Sequence, residues 1–156
     1  MRKSRAKKRD IVPDPRFNDV LVAKFINNMM IQGKKETARK IFYDAIDIVD
    51  AKIEEEAGIE TWKKALNNVM PSVMVKSRRV GGATFQIPME VKPDLKISFG
   101  VKWMINYSRK RNEKSMANKL AGEILAAAKG EGAAVKKKED THKMADANKA
   151  FSHFRA

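Results

Sequence analysis

Apolar residues recur along most of the chain with the 3.6-residue period of amphipathic helices. In the first part of the chain this pattern predicts a helix with Asn18 as its N-cap and Gly33 at its end. A second helix follows over about residues 35–57, and Gly58 is predicted to end it. A short third helix ends before Pro71.

The period changes from 3.6 to 2 at Ser72. Two alternating runs on either side of Gly81-Gly82 predict a β-hairpin over about residues 72–91. The sequence shows no third run of this kind. Because an isolated hairpin is marginally stable in water, we expect its base to rest on the helices while its tip projects.

Helical spacing returns after the hairpin, with Pro93 in a first-turn position and Ser115 as the next N-cap. Gly130 and Gly132 mark a joint before a last helix over about residues 136–154. The predicted fold class is mainly α: a single helical domain of about six helices, with a projecting two-stranded hairpin arm and a basic tail. The predicted domain limits are 1–16 for the tail and 17–156 for the helical domain.

Charge is distributed unevenly over the 156 residues, which carry 33 Lys and Arg, 19 Asp and Glu and a net charge of +14. Residues 17–60 hold six basic and nine acidic side chains, whereas residues 92–119 hold eight basic and two acidic ones. The first nine residues contain six basic groups and no apolar stripe, which predicts a flexible arm. This clustering indicates a face that binds a polyanion, nucleic acid above all.

The side chains needed for catalysis or metal binding are sparse. There is no cysteine, and His142 and His153 lie too far apart in sequence to share a helical turn as metal ligands. We therefore expect no enzyme activity, no cofactor and no metal site. No apolar run approaches the roughly 20 residues that a membrane span requires, so no membrane association is expected.

The hairpin carries the most informative charges, since Lys76, Arg78 and Arg79 precede its glycine turn. Two-stranded ribbons enter nucleic-acid grooves, and arginine makes bidentate contacts with phosphate or guanine. These residues do not distinguish RNA from DNA. An architectural DNA-binding protein with a β-ribbon arm is the alternative hypothesis.

Long collinear segments of the chain resemble the bacterial form of the family of small-subunit ribosomal proteins numbered seven. The resemblance rests on the spaced set Asp19, Leu21, Phe25-Ile26, Gly33-Lys34-Lys35, Ile41-Phe42 and Ala45, and on SRRVGGATFQIPMEV, RKRNEKSMANKLAGE and AAVKKKEDTHKMADANKAFSHFR. It implies a cytoplasmic protein of the small ribosomal subunit that is a structural constituent of the ribosome. It further implies a primary binder of the 3′ major domain of 16S rRNA that nucleates assembly of the 30S head.

The resemblance also implies a place at the subunit interface, near the exit-site tRNA. The implied partners are small-subunit rRNA, exit-site tRNA, mRNA near the exit channel and the small-subunit proteins numbered nine and eleven, without homo-oligomers. The residues implied to bind rRNA are Arg2, Lys3, Arg5, Lys7, Lys8, Arg9, Lys34, Lys35, Lys76, Arg78, Arg109, Arg111, Lys114 and Lys119. Those implied to face tRNA are Arg79, Val80, Gly81, Gly82 and Ala83. Those implied to lie near mRNA or a neighbouring protein are Lys136, Lys137, Lys138, His142, Lys143, Phe151 and His153.

Overall fold

The computed structural model describes residues 9–53 and 56–154, and these are mainly helical. Their elements are the helices α1 (Val20–Met29), α2 (Lys35–Asp50), α3 (Gly58–Val69), α4 (Pro93–Arg109), α5 (Met116–Ala128) and α6 (Ala133–Ala147) and the strands β1 (Val73–Val80) and β2 (Ala83–Glu90). A 3₁₀ helix, Lys149–Phe154, follows α6. The predicted fold class, mainly α with one two-stranded hairpin, is confirmed.

The chain divides into two compact units, Met1–Lys40 and Ile41–Ala156. In the first unit α1 buries the apolar stripe that the sequence predicts, including Val22 and Phe25. Its N-cap is Asp19, whose Oδ1 accepts a hydrogen bond from the Leu21 amide at 2.7 Å. The predicted cap, Asn18, was wrong by one position, and this residue instead has a left-handed φ of 48°. The predicted domain limits after residue 16 stay a prediction.

The end of α1 also differs from the prediction. The helix ends at Met29, where the amide of Met30 donates to the Ile26 carbonyl at 2.9 Å. Gln32 and Gly33 follow with φ angles of 55° and 75°, so Gly33 belongs to the turn that leads into α2. Glycine serves there because it adopts this left-handed conformation without a steric penalty.

Gly58 begins α3 and does not end α2, which stops at Asp50, so the predicted extension to residue 57 was wrong. The Asp50 carboxylate accepts a hydrogen bond from the Gly58 amide. A Cβ on residue 58 would lie 2.9 Å from the Ile46 carbonyl oxygen. This glycine is therefore explained by a close approach between α2 and the start of α3, which a sequence pattern does not reveal.

The core of the second unit lies where α3, α4 and α5 pack together. Trp62 of α3 is fully buried, and its ring meets Phe42 of α2 edge-on with centroids 5.3 Å apart. Gly100 of α4 allows a close approach to α3, because a Cβ there would lie 3.2 Å from Leu66 Cδ1. Leu120 of α5 completes this core without exposed surface.

Two predicted helix starts in the second unit are confirmed. Pro93 occupies the first turn of α4, and Ser115 caps α5 by accepting a hydrogen bond from the Asn118 amide at 3.2 Å. The aromatic side chains Phe99 and Trp103 of α4 are half-buried, and their rings lie 5.9 Å apart. This face of α4 is therefore at the edge of the core.

The last helix differs from the prediction at both ends. It starts at Ala133, three residues before the predicted position, and ends at Ala147, beyond which the chain tightens into the 3₁₀ helix. Its buried residues are few and small, Ala134, Val135, Thr141 and Ala145. It nevertheless contacts α3, α4, α5 and both strands.

Candidate nucleic-acid interface

The hairpin lies within one residue of the predicted range at each end, and its register decides which basic groups share a face. Val80 pairs with Ala83 next to the turn, and Val73 pairs with Glu90 at the base. Because side chains alternate across a strand, Lys76 and Arg78 lie on one face of the hairpin and Arg79 lies on the other. All three side chains are exposed. The hairpin therefore presents positive charge on both faces.

The hairpin tip (residues 79–83) is built for backbone access. Gly81 and Gly82 have φ angles of 56° and 90°, as a two-residue turn with two positive φ angles requires. No other heavy atom lies within 4 Å of a Cβ built on either glycine. Val80 is half-buried and Ala83 is exposed. Because glycine has no side chain, the main chain of this turn is accessible to a nucleic-acid strand.

The hairpin rests on α6, as expected, and it also has a contact nearer its tip. α6 contacts both strands, and the 3₁₀ helix contacts β2. The rings of Phe85 and Phe151 lie 5.3 Å apart, although Phe85 is only three residues beyond Gly82. In the middle of the hairpin, on the same face as Phe85, Ile87 is 3% exposed. Beyond the base, the opposite face is polar and exposed at Ser77, Arg79, Thr84 and Gln86.

The basic segment after α4 contains an ion-pair cluster made of Arg111, Glu113 and Glu123. Arg111 Nε lies 2.8 Å from Glu113 Oε1, and Arg111 Nη1 lies 3.0 Å from Glu123 Oε2. The Glu123 side chain has no exposed surface. The hydrogen bond from Arg111 is the main reason that the pKa of Glu113 is lowered. The guanidinium of Arg111 is therefore largely occupied by carboxylates of the same chain.

Glu123 also connects this cluster to the last helix. Its Oε1 accepts a hydrogen bond from the Ala134 amide at 2.9 Å, in the first turn of α6. This carboxylate supplies the cap that α6 lacks locally, since Gly132 has no side chain to cap with. Sequence reasoning missed Glu123. The available signal was a single carboxylate on the predicted buried side of an otherwise apolar helix.

The other basic residues predicted in this segment are more accessible. Arg109 and Lys114 are exposed. Lys119 is half-buried, and its Nζ lies 3.4 Å from the Arg109 carbonyl oxygen, at the end of α4. A positive charge there is favourable because the carbonyl groups at a helix C-terminus carry partial negative charge.

Two of the residues predicted on α6 make contacts within the protein. Lys138 Nζ donates to the Asn68 carbonyl at 2.9 Å, at the end of α3. His142 Nε2 accepts a hydrogen bond from the Ser72 amide at 3.1 Å, just before β1. Burial lowers the pKa of His142, and the nearby Lys138 lowers it further while Asp146 acts in the opposite direction. The sequence pattern did not predict either partner, Asn68 or Ser72, as a contact of α6.

The remaining predicted positions lie in three places. Lys136, Lys143 and His153 are exposed near the C-terminus, while Lys137 and Phe151 are half-buried. In the first unit, Arg9, Lys34 and Lys35 are exposed. Arg2, Lys3, Arg5, Lys7 and Lys8 lie outside the described residues.

Metal-ion clusters and membrane-spanning helices are absent from the described residues. Across residues 9–53 and 56–154, no group of three or more His, Cys, Asp or Glu side chains is arranged to hold a metal ion. Within the same part of the chain, no helix has both the length and the apolar character to cross a membrane. The clustered cations on the hairpin and around α4 are its main chemical feature.

A helical unit that carries a β-hairpin with cations on both faces is typical of basic nucleic-acid-binding proteins. The profile of the family described as ribosomal protein S7p/S5e matches residues 1–149. The chain belongs to this family and is a structural constituent of the small ribosomal subunit. It is therefore a cytoplasmic protein, as the sequence resemblance implied.

Curated relatives cover nearly the whole chain. The small ribosomal subunit protein uS7 of Flavobacterium psychrophilum is 69% identical over 99% of each chain. The protein of the same description from Cytophaga hutchinsonii is 63% identical over 99% of each chain. That from Anaeromyxobacter dehalogenans is 56% identical over 99% of this chain and 98% of its own. These relatives are ribosomal proteins and not enzymes, which confirms the expectation that this chain is not an enzyme.

Proposed function

We propose that this protein binds the 3′ major domain of small-subunit 16S rRNA directly, nucleates assembly of the 30S head and lies at the subunit interface near the exit-site tRNA. The observation that carries the proposal is the hairpin, which exposes Lys76 and Arg78 on one face and Arg79 on the other. Membership of a small-subunit ribosomal protein family makes rRNA the natural polyanion for these charges.

The register of the hairpin supports a division of labour between its two RNA partners. Lys76 and Arg78 share a face and contact rRNA, together with the exposed residues Lys34, Lys35, Arg109 and Lys114. Arg79 points the other way and, with residues 80–83, contacts the exit-site tRNA. The open glycine turn at 81–82 favours this role because it lets a backbone come close to its partner.

The C-terminal region contacts mRNA near the exit channel and the small-subunit proteins numbered nine and eleven. Its exposed Lys136, Lys143 and His153 support this role, since each presents a polar or charged group to the surroundings. Lys138 and His142 contribute differently, because their contacts with Asn68 and Ser72 fix α6 in place.

Filter binding of the full chain to a 3′-major-domain rRNA fragment tests the proposal, with a DNA duplex of the same length as the control. We expect tight binding to the fragment alone at physiological salt, and a steep decline of affinity with salt. Equal affinity for both ligands would contradict the proposal. Bending of the duplex by a dimer would support an architectural DNA-binding protein instead.

Deletion of residues 79–83 tests the division within the hairpin. We expect unchanged affinity for the rRNA fragment and faster release of exit-site tRNA from reconstituted ribosomes. Failure of head assembly would instead mean that the tip contacts rRNA.

A further inference from the structure

The hairpin receives support at two heights from the C-terminal part of the chain. At the base, His142 of α6 accepts a hydrogen bond from the Ser72 amide, next to the first residue of β1. Higher up, the ring of Phe151 meets Phe85 of β2 with centroids 5.3 Å apart and planes inclined by 51°. Phe85 pairs with Arg78, two positions from the last pair before the turn. The second contact therefore lies close to the tip.

The support itself is attached to the body of the second unit. α6 is held there at Ala134 and Lys138, which bond to Glu123 and Asn68. Four residues further on, His142 bonds to Ser72 at the base of the hairpin. Residues spaced by four lie on one face of a helix, so these contacts form a single attached face.

The chain remains hydrogen-bonded beyond the end of α6. The Asn148 side chain donates to the Met144 carbonyl at 2.8 Å, and the Phe151 amide donates to the Asn148 carbonyl at 3.0 Å. Consequently the ring of Phe151 is presented to the hairpin from an ordered element.

A two-stranded sheet needs such a contact more than a larger sheet does. Isolated hairpins are marginally stable in water, and here the strands pair only with each other within the described residues. The glycine turn adds no side-chain packing of its own, since its two Cβ positions face open space. Near the tip, the contact between Phe85 and Phe151 restricts the strands.

We propose that Phe151, in the 3₁₀ helix Lys149–Phe154, is a positioning residue for the hairpin tip and sets the tip's orientation toward its RNA partner. Phe151 restrains the motion of the tip through its contact with Phe85 and not through a direct contact with RNA. The identity of the RNA partner rests on the proposed function, whereas the positioning itself does not.

Hydrogen exchange followed by mass spectrometry on the full-length protein tests the positioning, with Phe151→Ala, Phe151→Tyr and Ser152→Ala as variants. We expect Phe151→Ala to reduce protection of the amides at 77–86 by about tenfold or more, because it removes both the aromatic contact and the buried area of the ring. Protection in α3 and α5 should not change. Phe151→Tyr should restore the hairpin, and Ser152→Ala, at the exposed neighbouring position, should behave as the wild type.

A double-mutant cycle with Phe85→Ala separates positioning from general destabilisation. The double variant should lose no more hairpin protection than either single variant, because both changes remove the same contact. Equal losses in α3, α5 and the hairpin, additive losses in the double variant, or a hairpin unprotected in the wild type would each overturn the proposal.

Release of exit-site tRNA from ribosomes reconstituted with Phe151→Ala should be faster, with unchanged rRNA-fragment affinity. If deletion of residues 79–83 leaves tRNA release unchanged, the proposed function of the tip fails while the exchange result still decides the positioning. If that deletion speeds release and Phe151→Ala does not, the positioning role is overturned.

Discussion

Arg111 Nη1 lies 3.0 Å from Oε2 of Glu123, a carboxylate whose side chain has no exposed surface. A buried charge is costly unless it is paired and hydrogen-bonded, and Glu123 receives Arg111 on one oxygen and the Ala134 amide on the other. Arg111 therefore balances the charge that holds the start of α6. Its sequence neighbourhood predicts an RNA contact, but its geometry favours a structural role.

Arg111→Met should reduce the free energy of unfolding by about 2–4 kcal/mol, because it leaves Glu123 buried without its charged partner. The salt dependence of rRNA binding should keep its slope, since no phosphate contact is lost. Chemical denaturation and filter binding at several salt concentrations measure the two effects.

Lys114→Met is the matched control for this prediction, since Lys114 is exposed in the same basic segment. It should leave stability within about 0.5 kcal/mol of the wild type and reduce the salt slope by about one. If Arg111→Met leaves stability unchanged and reduces the salt slope, as expected for Lys114→Met, then Arg111 contacts RNA.

Gly122 should not tolerate alanine well, because the ion-pair cluster occupies the space beside it. A Cβ at this position would lie 2.8 Å from Glu113 Oε1 and 3.0 Å from Arg111 Nη2. Overpacking of this kind costs about 1–3 kcal/mol, which thermal or chemical denaturation of Gly122→Ala would show. The same substitution in an Arg111→Met, Glu113→Ala background should cost clearly less, and an equal cost would place the strain elsewhere.

Much of the fold was predictable because its signals are local. The hairpin follows from a period of two around Gly81-Gly82, and α5 begins directly after Ser115 because the hydroxyl of this serine caps it. The errors occur where the determinant is distant in sequence. Glycine is needed at position 58 because the backbone there comes close to Ile46. The helix α6 begins earlier than predicted because Glu123, eleven residues before Ala134, caps its first turn.

The candidate interface shows the same limit. Charge clustering identified the exposed cations of the hairpin. It did not separate them from Lys138 and His142, whose partners lie 70 residues earlier in the chain. A basic residue with an internal partner has the same sequence signal as one that faces RNA.

Stability should depend on pH through His142. Burial lowers its pKa in the folded state, and Lys138 adds to this effect, whereas Asp146 opposes it. As the pH falls, His142 is therefore protonated more readily in the unfolded chain than in the folded one. Its contribution to the free energy of unfolding is fully present above a pH of about 6.5 and declines as the pH falls below that value. Protonation also removes the acceptor for the Ser72 amide. Denaturation at a series of pH values between neutral and mildly acidic would show the decline.

His142→Gln provides the control, because it removes the titrating group. In this variant the decline just below the ordinary histidine pKa should be weaker. Glu113 does not confuse the result: its pKa is lowered by the hydrogen bond from Arg111, so its contribution is present above the ordinary glutamate pKa and is lost only at more acidic pH. Identical pH profiles for the variant and the wild type would exclude His142 as the source.

The two faces of the hairpin should respond differently to loss of charge. Lys76→Ala should weaken binding to the 3′-major-domain fragment and reduce the salt slope by about one, since the proposed function gives Lys76 one phosphate contact. Arg79→Ala, on the opposite face, should leave that binding unchanged and affect tRNA release. Lys129→Ala, an exposed lysine at the end of α5, is the control that should change neither. Equal effects of Lys76→Ala and Arg79→Ala on the rRNA fragment would contradict the division of the faces.

Substitution of Gly81 tests the backbone geometry of the turn without changing the charge of the hairpin. Gly81 has a φ of 56° with open space around its Cβ position, so a substitution there costs conformational energy and no packing. Gly81→Val should destabilise the turn by about 1–2 kcal/mol, because a β-branched residue strongly disfavours the left-handed region. Gly81→Asn should cost much less, since asparagine accepts that conformation. Hydrogen exchange of the hairpin amides distinguishes the two variants, and equal protection in both would mean that the turn does not hold a left-handed conformation in solution.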